Sequence, residues 1–239
     1  MSSSTKLNLD PSRVEVSLTL YRSIIGSLLY FTASRPNIAF SVGVCARYQA
    51  APKESHLTAV KRIIRYVNGT LDYDLWYLKD SNACLVGYSD ADWAGSVDDR
   101  KSTSSGYFYL GNNLVSWMSK KQNLVSLPTV KAKYIAAGSC CTQLLRMKKS
   151  LHDYGIPQDT MCVFYDNTSA INLSKNLVHH SKLKHIEIRY HFIRDLMEDK
   201  VMCLEFIHMD NQKVDIFTKP LDGPQFEPLR KTIGVGTIP

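Results

Sequence analysis

Two aspartates in this chain stand where an apolar stretch ends, a position suited to metal-ion chemistry. Asp90 follows residues 84–89 and Asp166 follows residues 161–165, and both stretches have the composition of short strands. A carboxylate at a strand end is held by rigid backbone and still opens to solvent. Two of them on neighbouring strands could share a divalent ion, because hard cations take oxygen ligands. Asp215, near the start of a terminal helix, is a third candidate.

Each of these aspartates also has a structural explanation, as the cap of a helix or turn. A histidine cluster is an alternative metal site, formed by His179, His180, His185 and His191. No acidic or thiol ligand interleaves with these histidines at a metal-binding spacing. A basic loop near phosphate, or a solvated face, is therefore the favoured interpretation of that stretch.

The cysteines predict no zinc site. They lie at positions 45, 84, 140, 141, 162 and 203, and no Cys-x-x-Cys pair occurs among them. Scattered thiols in a chain of this length are typical of small buried apolar residues in a reducing compartment.

Hydrophobic periodicity divides the chain into a helical part and a mixed α/β part. Helices are predicted at 21–33, 38–48 and 52–68, before a polar break at 80–82. Strands are then predicted at 84–89, 106–110, 114–118, 161–165 and 202–207, and helices at 129–154, 169–175, 186–198, 214–219 and 226–232. This order predicts an α/β layer architecture with a mixed sheet.

Composition sets wide limits on function. Hydrophobic residues make up 44% of the chain, which is enough for an ordinary globular core. The net charge of +7 suits a polyanionic partner, although many soluble proteins carry as much. The amino terminus lacks the apolar stretch of a secretory signal, and no apolar run is long enough for a bilayer span. We therefore expect a soluble protein of the cytoplasm or nucleus.

Several motifs occur in an order typical of one family. They are Tyr-Ser-Asp-Ala-Asp-Trp-Ala-Gly at 88–95, Ser-Trp-Met-Ser-Lys-Lys-Gln at 116–122, Tyr-Asp-Asn-Thr-Ser-Ala-Ile at 165–171, Lys-His-Ile-Glu-Ile-Arg-Tyr-His at 184–191 and Val-Asp-Ile-Phe-Thr-Lys-Pro-Leu at 214–221. The chain thereby resembles the carboxy-terminal ribonuclease H domain of copia-type retrotransposon Pol polyproteins. Upstream, residues 21–30 resemble the segment after the polymerase palm of a reverse transcriptase. No Tyr-x-Asp-Asp motif is present, so we expect no polymerase activity.

The resemblance implies an α/β fold: a ribonuclease H-like mixed five-stranded sheet with flanking helices, preceded by a small helical subdomain. It also implies a division of the chain. Residues 1–17 would be a flexible amino terminus and 18–80 a helical remnant of reverse transcriptase. Residues 81–222 would be the ribonuclease H-like domain, and 223–239 a carboxy-terminal tail.

The same resemblance implies a catalytic site. In that family a strand-end Asp, a helix Glu, a second strand-end Asp and a late Asp hold two magnesium ions. The ions activate water and stabilise the leaving oxygen while RNA in an RNA–DNA hybrid is cut. Carried over, the metal ligands are Asp90, Asp166 and Asp215. Many ribonucleases H also have a mobile histidine before the last helix, where this chain has His208.

The helix carboxylate of the family pattern is missing. The family has Ser-Thr-x-Glu-Ala-Glu-Tyr-Ile-Ala-Ala, whereas residues 128–137 are Pro-Thr-Val-Lys-Ala-Lys-Tyr-Ile-Ala-Ala. Lys133 directly precedes Tyr-Ile-Ala and takes the position of the metal-binding Glu. An ammonium has no lone pair for a metal. At roughly 4 Å and an effective dielectric of about 20 it repels a divalent ion by several kcal/mol.

We therefore expect a two-magnesium site that is severely weakened, and cleavage that is weak or absent. Two alternatives stay open from the sequence. One is a non-catalytic module that binds RNA–DNA hybrid or duplex through its basic surface, and the other is a degenerate retroelement fragment. The oligomeric state is not predicted.

Overall fold

Residues 6–79, 81–168, 187–208 and 212–237 are described by the structure, a computed structural model, and they divide into two units. The first unit takes in the chain up to Trp76, Gly95–Arg100 and the chain from Asp215 onward. The second takes in Tyr77–Ala94 and Lys101–Val214. The predicted helix at 169–175 and the histidines at 179, 180 and 185 lie outside the described residues. None of the helices described combines the length and hydropathy of a transmembrane segment.

The helices are α1 (Leu18–Phe31), α2 (Ala39–Ala46), α3 (Glu54–Asn68), α4 (Thr129–Asp153), α5 (Glu187–Glu198), α6 (Asp215–Thr218) and α7 (Gly223–Thr232). The strands are β1 (Asp74–Leu75), β2 (Leu85–Asp92), β3 (Thr103–Leu110), β4 (Asn113–Lys121), β5 (Met161–Tyr165), β6 (Met202–Phe206) and β7 (Val235–Gly236). A short 3₁₀ helix, Pro36–Ile38, precedes α2. The sequence does not predict the pair β1–β7, because two-residue strands show no periodicity.

The first unit is helical around a core in which α1, α2 and α3 each contribute apolar side chains at helical spacing. Tyr21, Val42 and Val60 are fully buried there. The Tyr21 hydroxyl donates to the Cys45 carbonyl at 2.9 Å, which satisfies the one polar atom of that side chain. Burial raises the pKa of the Cys45 thiol to about 12, so this thiol is neutral.

The second unit contains a five-stranded sheet in the order β4-β3-β2-β5-β6. The pairs β2–β3 and β3–β4 are antiparallel, whereas β5 lies parallel to both β2 and β6. This confirms the predicted mixed sheet of five strands. Strand β2 runs three residues beyond its predicted end, because residues 90–92 continue to pair with 103–105 of β3.

Helices α4 and α5 pack on one face of this sheet, over a core that includes Leu144 of α4, Val163 of β5 and Ile193 of α5. Gly87 of β2 lies under α4, where an added Cβ would approach the Cys140 Sγ and a Leu144 methyl group to 3.0 Å. The missing side chain therefore lets the helix lie close to the sheet.

The opposite face of the sheet carries stacked aromatic rings. Tyr88 stacks on Tyr107 at a centroid distance of 4.5 Å and on Phe164 at 4.8 Å. These three residues come from three adjacent strands, so the row ties β3, β2 and β5 together. Tyr107 is fully buried, as expected for a strand aromatic that packs in the core.

The cysteines correct one expectation from the sequence. Cys45, Cys140 and Cys141 are buried free thiols, as predicted, and Cys84 is an exposed free thiol. Cys162 and Cys203, however, are joined by a disulfide across the neighbouring strands β5 and β6. They are 41 residues apart, so only the strand pairing brings them together.

Candidate active site

The pairing of β2 with β5 determines where Asp90 and Asp166 lie. The parallel register runs from Val86 opposite Cys162 to Ser89 opposite Tyr165. The next residue along each strand is an aspartate, Asp90 on β2 and Asp166 after β5. Because parallel strands end at the same edge of a sheet, the two carboxylates come from adjacent positions.

Helix α4 brings Lys133 to this edge. Near its start the helix packs closely on β2, since the small side chains of Ala132 and Ala136 lie against Ala91. Buried Gln122, which follows β4, fixes the same turn, because its Nε2 donates to the Ser104 Oγ and to the Ala132 carbonyl, both at 2.8 Å. Gln122 lies in a family motif, but the sequence assigns it no role. Its two hydrogen bonds show that it positions the start of α4 against the sheet.

Lys133 points into the site and contacts both aspartates. Its Nζ donates to Oδ1 and Oδ2 of Asp166, each at 2.7 Å, and lies 3.4 Å from Oδ1 of Asp90. A lysine ammonium has three donors. Two of them are used on Asp166, and the third is available toward Asp90. The ammonium thus occupies the space between the two carboxylates.

The site is largely shielded from water. The side chains of Lys133, Asp90 and Asp166 are 15%, 10% and 6% exposed. Burial on its own lowers the pKa of Lys133, but the charge of Asp90 and the hydrogen bonds and charge of Asp166 outweigh it and raise that pKa. The side chain is therefore a cation at neutral pH. Burial, with the Asp90 and Asp166 charges, also raises the pKa of the adjacent Tyr165 well above its usual range.

Asp215 begins α6 in the first unit and forms an ion pair with Lys219 at 2.7 Å. Asp90, Asp166 and Lys133 belong to the second unit. The role of Asp215 as a metal ligand stays a prediction, as do the metal-binding roles of the other two aspartates. His208 follows β6, and its role in product release likewise stays a prediction.

Two further side chains bear on the chemistry of this unit. Trp93 follows β2 and is 45% exposed, and its indole N–H donates to the Ser126 carbonyl at 2.8 Å. The anchored ring is thus partly accessible to a ligand. Arg146, which lies in an apolar stretch of the sequence, is exposed on α4, so it carries no cost of burying a charge.

The order and directions of the strands, with helices packed on the sheet, define a ribonuclease H-like fold. The foamy viral protease-reverse transcriptase, solved in complex with dsDNA, aligns with 86% of this chain and 40% of its own, at 11% identity and a TM-score of 0.52. A ribonuclease H1 isolated from compost aligns with 57% of this chain and 93% of its own, at 13% identity and a TM-score of 0.44.

Sequence comparison identifies the family more closely. The retrovirus-related Pol polyprotein from transposon TNT 1-94 of Nicotiana tabacum is 38% identical over 216 residues, which is 90% of this chain. Two further transposon Pol polyproteins, from Arabidopsis thaliana, match all of it at 36% and 37%. No protein-family model matches. The chain is thus similar to retrotransposon Pol polyproteins over 90% or more of its length, and it contains a ribonuclease H-like domain. It spans 16% of the length of these relatives.

Proposed function

We propose that this ribonuclease H-like domain binds nucleic acid, with RNA–DNA hybrid as its principal ligand, and cleaves it weakly or not at all. The observation that carries the proposal is the position of the Lys133 ammonium between Asp90 and Asp166. The sequence relatives and the fold indicate nucleic acid as the class of ligand, and the lysine weakens or prevents metal-dependent cleavage of it.

The residues present do not fit a pair of magnesium ions. One ammonium against two carboxylates leaves a charge of −1 at the edge of the sheet, where two divalent ions would bring +4. Both oxygens of Asp166 accept hydrogen bonds from Lys133, so an ion bound to either oxygen would lie close to the ammonium and be repelled by it. Lysine also provides no lone pair while it is charged. We therefore assign no step of hydrolysis to this site.

Binding is expected to persist without cleavage. The excess of 29 Lys and Arg over 22 Asp and Glu favours contact with phosphates, which carries little sequence information. Exposed Trp93 adds a ring on which a base can stack. Ribonuclease H-like domains grip a hybrid by its shape and its 2′-hydroxyl groups, so we expect little sequence preference.

The test is a titration of fluorescently labelled RNA–DNA hybrid, double-stranded DNA and single-stranded RNA at low and moderate salt, with magnesium present. We expect hybrid binding that weakens steeply with salt, and an intact RNA strand at the end of the titration. Turnover of the RNA strand at a rate that matches the Lys133→Glu variant would overturn the loss of cleavage. Equal and negligible binding of all three nucleic acids at low salt would overturn the binding function.

A further inference from the structure

Strands β5 and β6 present three metal-ligating atoms at one point on the sheet. Cys162 lies directly opposite Cys203 in the parallel register, with their Cα atoms 4.8 Å apart. Glu205 is two residues beyond Cys203 on the same strand and therefore points to the same face. The ligand atoms of the three residues all lie within 4.8 Å of one another.

The distances from the carboxylate match a tetrahedral ion. With metal–sulfur bonds of about 2.3 Å and metal–oxygen bonds of about 2.1 Å, a tetrahedron needs sulfur–oxygen separations of about 3.6 Å. The Glu205 Oε1 lies 3.4 Å from the Cys162 Sγ and 3.7 Å from the Cys203 Sγ. Only the two sulfur atoms must separate, to about 3.8 Å, which side-chain rotation allows across this pair of strands.

We propose that, when the disulfide is reduced, Cys162, Cys203 and Glu205 bind a thiophilic divalent cation such as Zn²⁺, with water as the fourth ligand. Reduction by a phosphine supplies two electrons, two protons from water give the thiols, and the phosphine is oxidised to its oxide. Metal binding then releases the two thiol protons. Two thiolates and a carboxylate offset the charge of the ion, and three protein ligands leave one position open.

Glu205 distinguishes this site from a simple disulfide. A disulfide uses the two sulfur atoms and has no need of a carboxylate beside both, whereas a cation gains a third ligand from it. The cysteines are half-buried and Glu205 is exposed, so an ion can enter from solvent. The proposal is independent of nucleic-acid binding and of Lys133.

The experiment uses the full chain reduced with a phosphine and loaded with Co²⁺, a spectroscopic substitute for Zn²⁺. We expect one equivalent to bind, with tetrahedral d–d bands and a sulfur-to-cobalt charge-transfer band that Zn²⁺ abolishes. Cys162→Ser, Cys203→Ser and Glu205→Gln should each lower the Zn²⁺ affinity at least about 10-fold in competition with a chromophoric chelator. Cys84→Ser is the matched control, because Cys84 is a free, exposed thiol that is not one of the three clustered ligands, and it should leave both measurements unchanged.

Glu205→Gln keeps both thiols and is exposed, so it tests the site even if a serine variant folds poorly. Alkylation and mass spectrometry establish that both thiols are free before metal is added. The absence of a charge-transfer band, or its persistence in Cys162→Ser, would overturn the proposal. A pair that stays oxidised in excess phosphine would overturn it as well, because the site needs thiolates.

Discussion

Replacing Lys133 should reveal whether the lysine acts as an internal substitute for a metal ion. Lys133→Met removes the charge but keeps an unbranched side chain of similar length. Lys133→Glu restores the carboxylate that the family has at this position. Lys131→Glu is the matched control, because it makes the same change of charge two residues earlier on α4, where the side chain points in a different direction.

The expected magnitude follows from the contacts. At 2.7 Å and an effective dielectric of about 20, the attraction between Lys133 and Asp166 is about 6 kcal/mol, and desolvation offsets part of it. Removing one partner of a buried pair typically costs about 3–5 kcal/mol, because the other charge stays buried without compensation. Lys133→Met should therefore lose about 3–5 kcal/mol of unfolding free energy. Lys133→Glu should lose at least as much in the presence of a chelator, because it adds a third carboxylate.

Urea unfolding with chelator and with excess magnesium measures both effects. The stability of Lys133→Glu should rise with magnesium by mass action, whereas the wild-type chain should not respond. When the same proteins are incubated in their folded state with RNA–DNA hybrid and magnesium, Lys133→Glu should cleave the RNA strand faster than the wild-type chain does. Lys131→Glu should match the wild type in all three measurements.

Two results would refute this reasoning. If Lys133→Met were as stable as the wild-type chain, the ammonium would not be compensating the two aspartates. If the wild-type chain cleaved hybrid as fast as Lys133→Glu, the lysine would not be blocking the site. Either result can be interpreted only if circular dichroism shows that the variant is folded.

Three further predictions use other features of the structure. Trp93→Ala should weaken hybrid binding by about 1–3 kcal/mol in a fluorescence titration, because one stacking surface is lost, whereas Leu127→Ala, at the exposed residue that follows Ser126, should have a smaller effect. Gly87→Ala should lower the unfolding free energy by about 1–3 kcal/mol, since the added methyl group crowds α4, and Gly26→Ala on open α1 should not. Cys84 should react with iodoacetamide at mildly alkaline pH, while Cys141, whose thiol pKa burial raises to about 12, should react only after unfolding; peptide mass spectrometry would show whether that order is reversed.

Elements with a strong repeating pattern were the most predictable from the sequence. Strand β5 has the bounds predicted from its apolar run, and α4 ends one residue before its predicted end. The position of Asp166 directly after β5 also follows from sequence, because an apolar stretch becomes polar there, whereas Asp90 lies inside β2, two residues before its end. The mixed five-stranded sheet follows from the order of the elements together with the family motifs.

Contacts between distant segments were less predictable. Sequence indicates that Lys133 replaces a carboxylate, but an outward-pointing lysine satisfies the same pattern. The strand register and the close packing of α4 on Ala91 decide that it points inward. The pairing of Cys162 with Cys203 depends likewise on the β5–β6 register, which no local spacing encodes.

The two outer strands of the sheet, β4 and β6, affect how readily the isolated protein aggregates. An open edge strand is a template for joining another sheet, which leads to aggregation. Strand β4 ends in two lysines, and its pairing shifts at Phe108 and Tyr109, so its rim is charged and irregular. Strand β6 is five residues long and carries Glu205. Both edge strands thus disfavour edge-to-edge pairing between molecules. We therefore expect little aggregation at the protein concentrations that these measurements need.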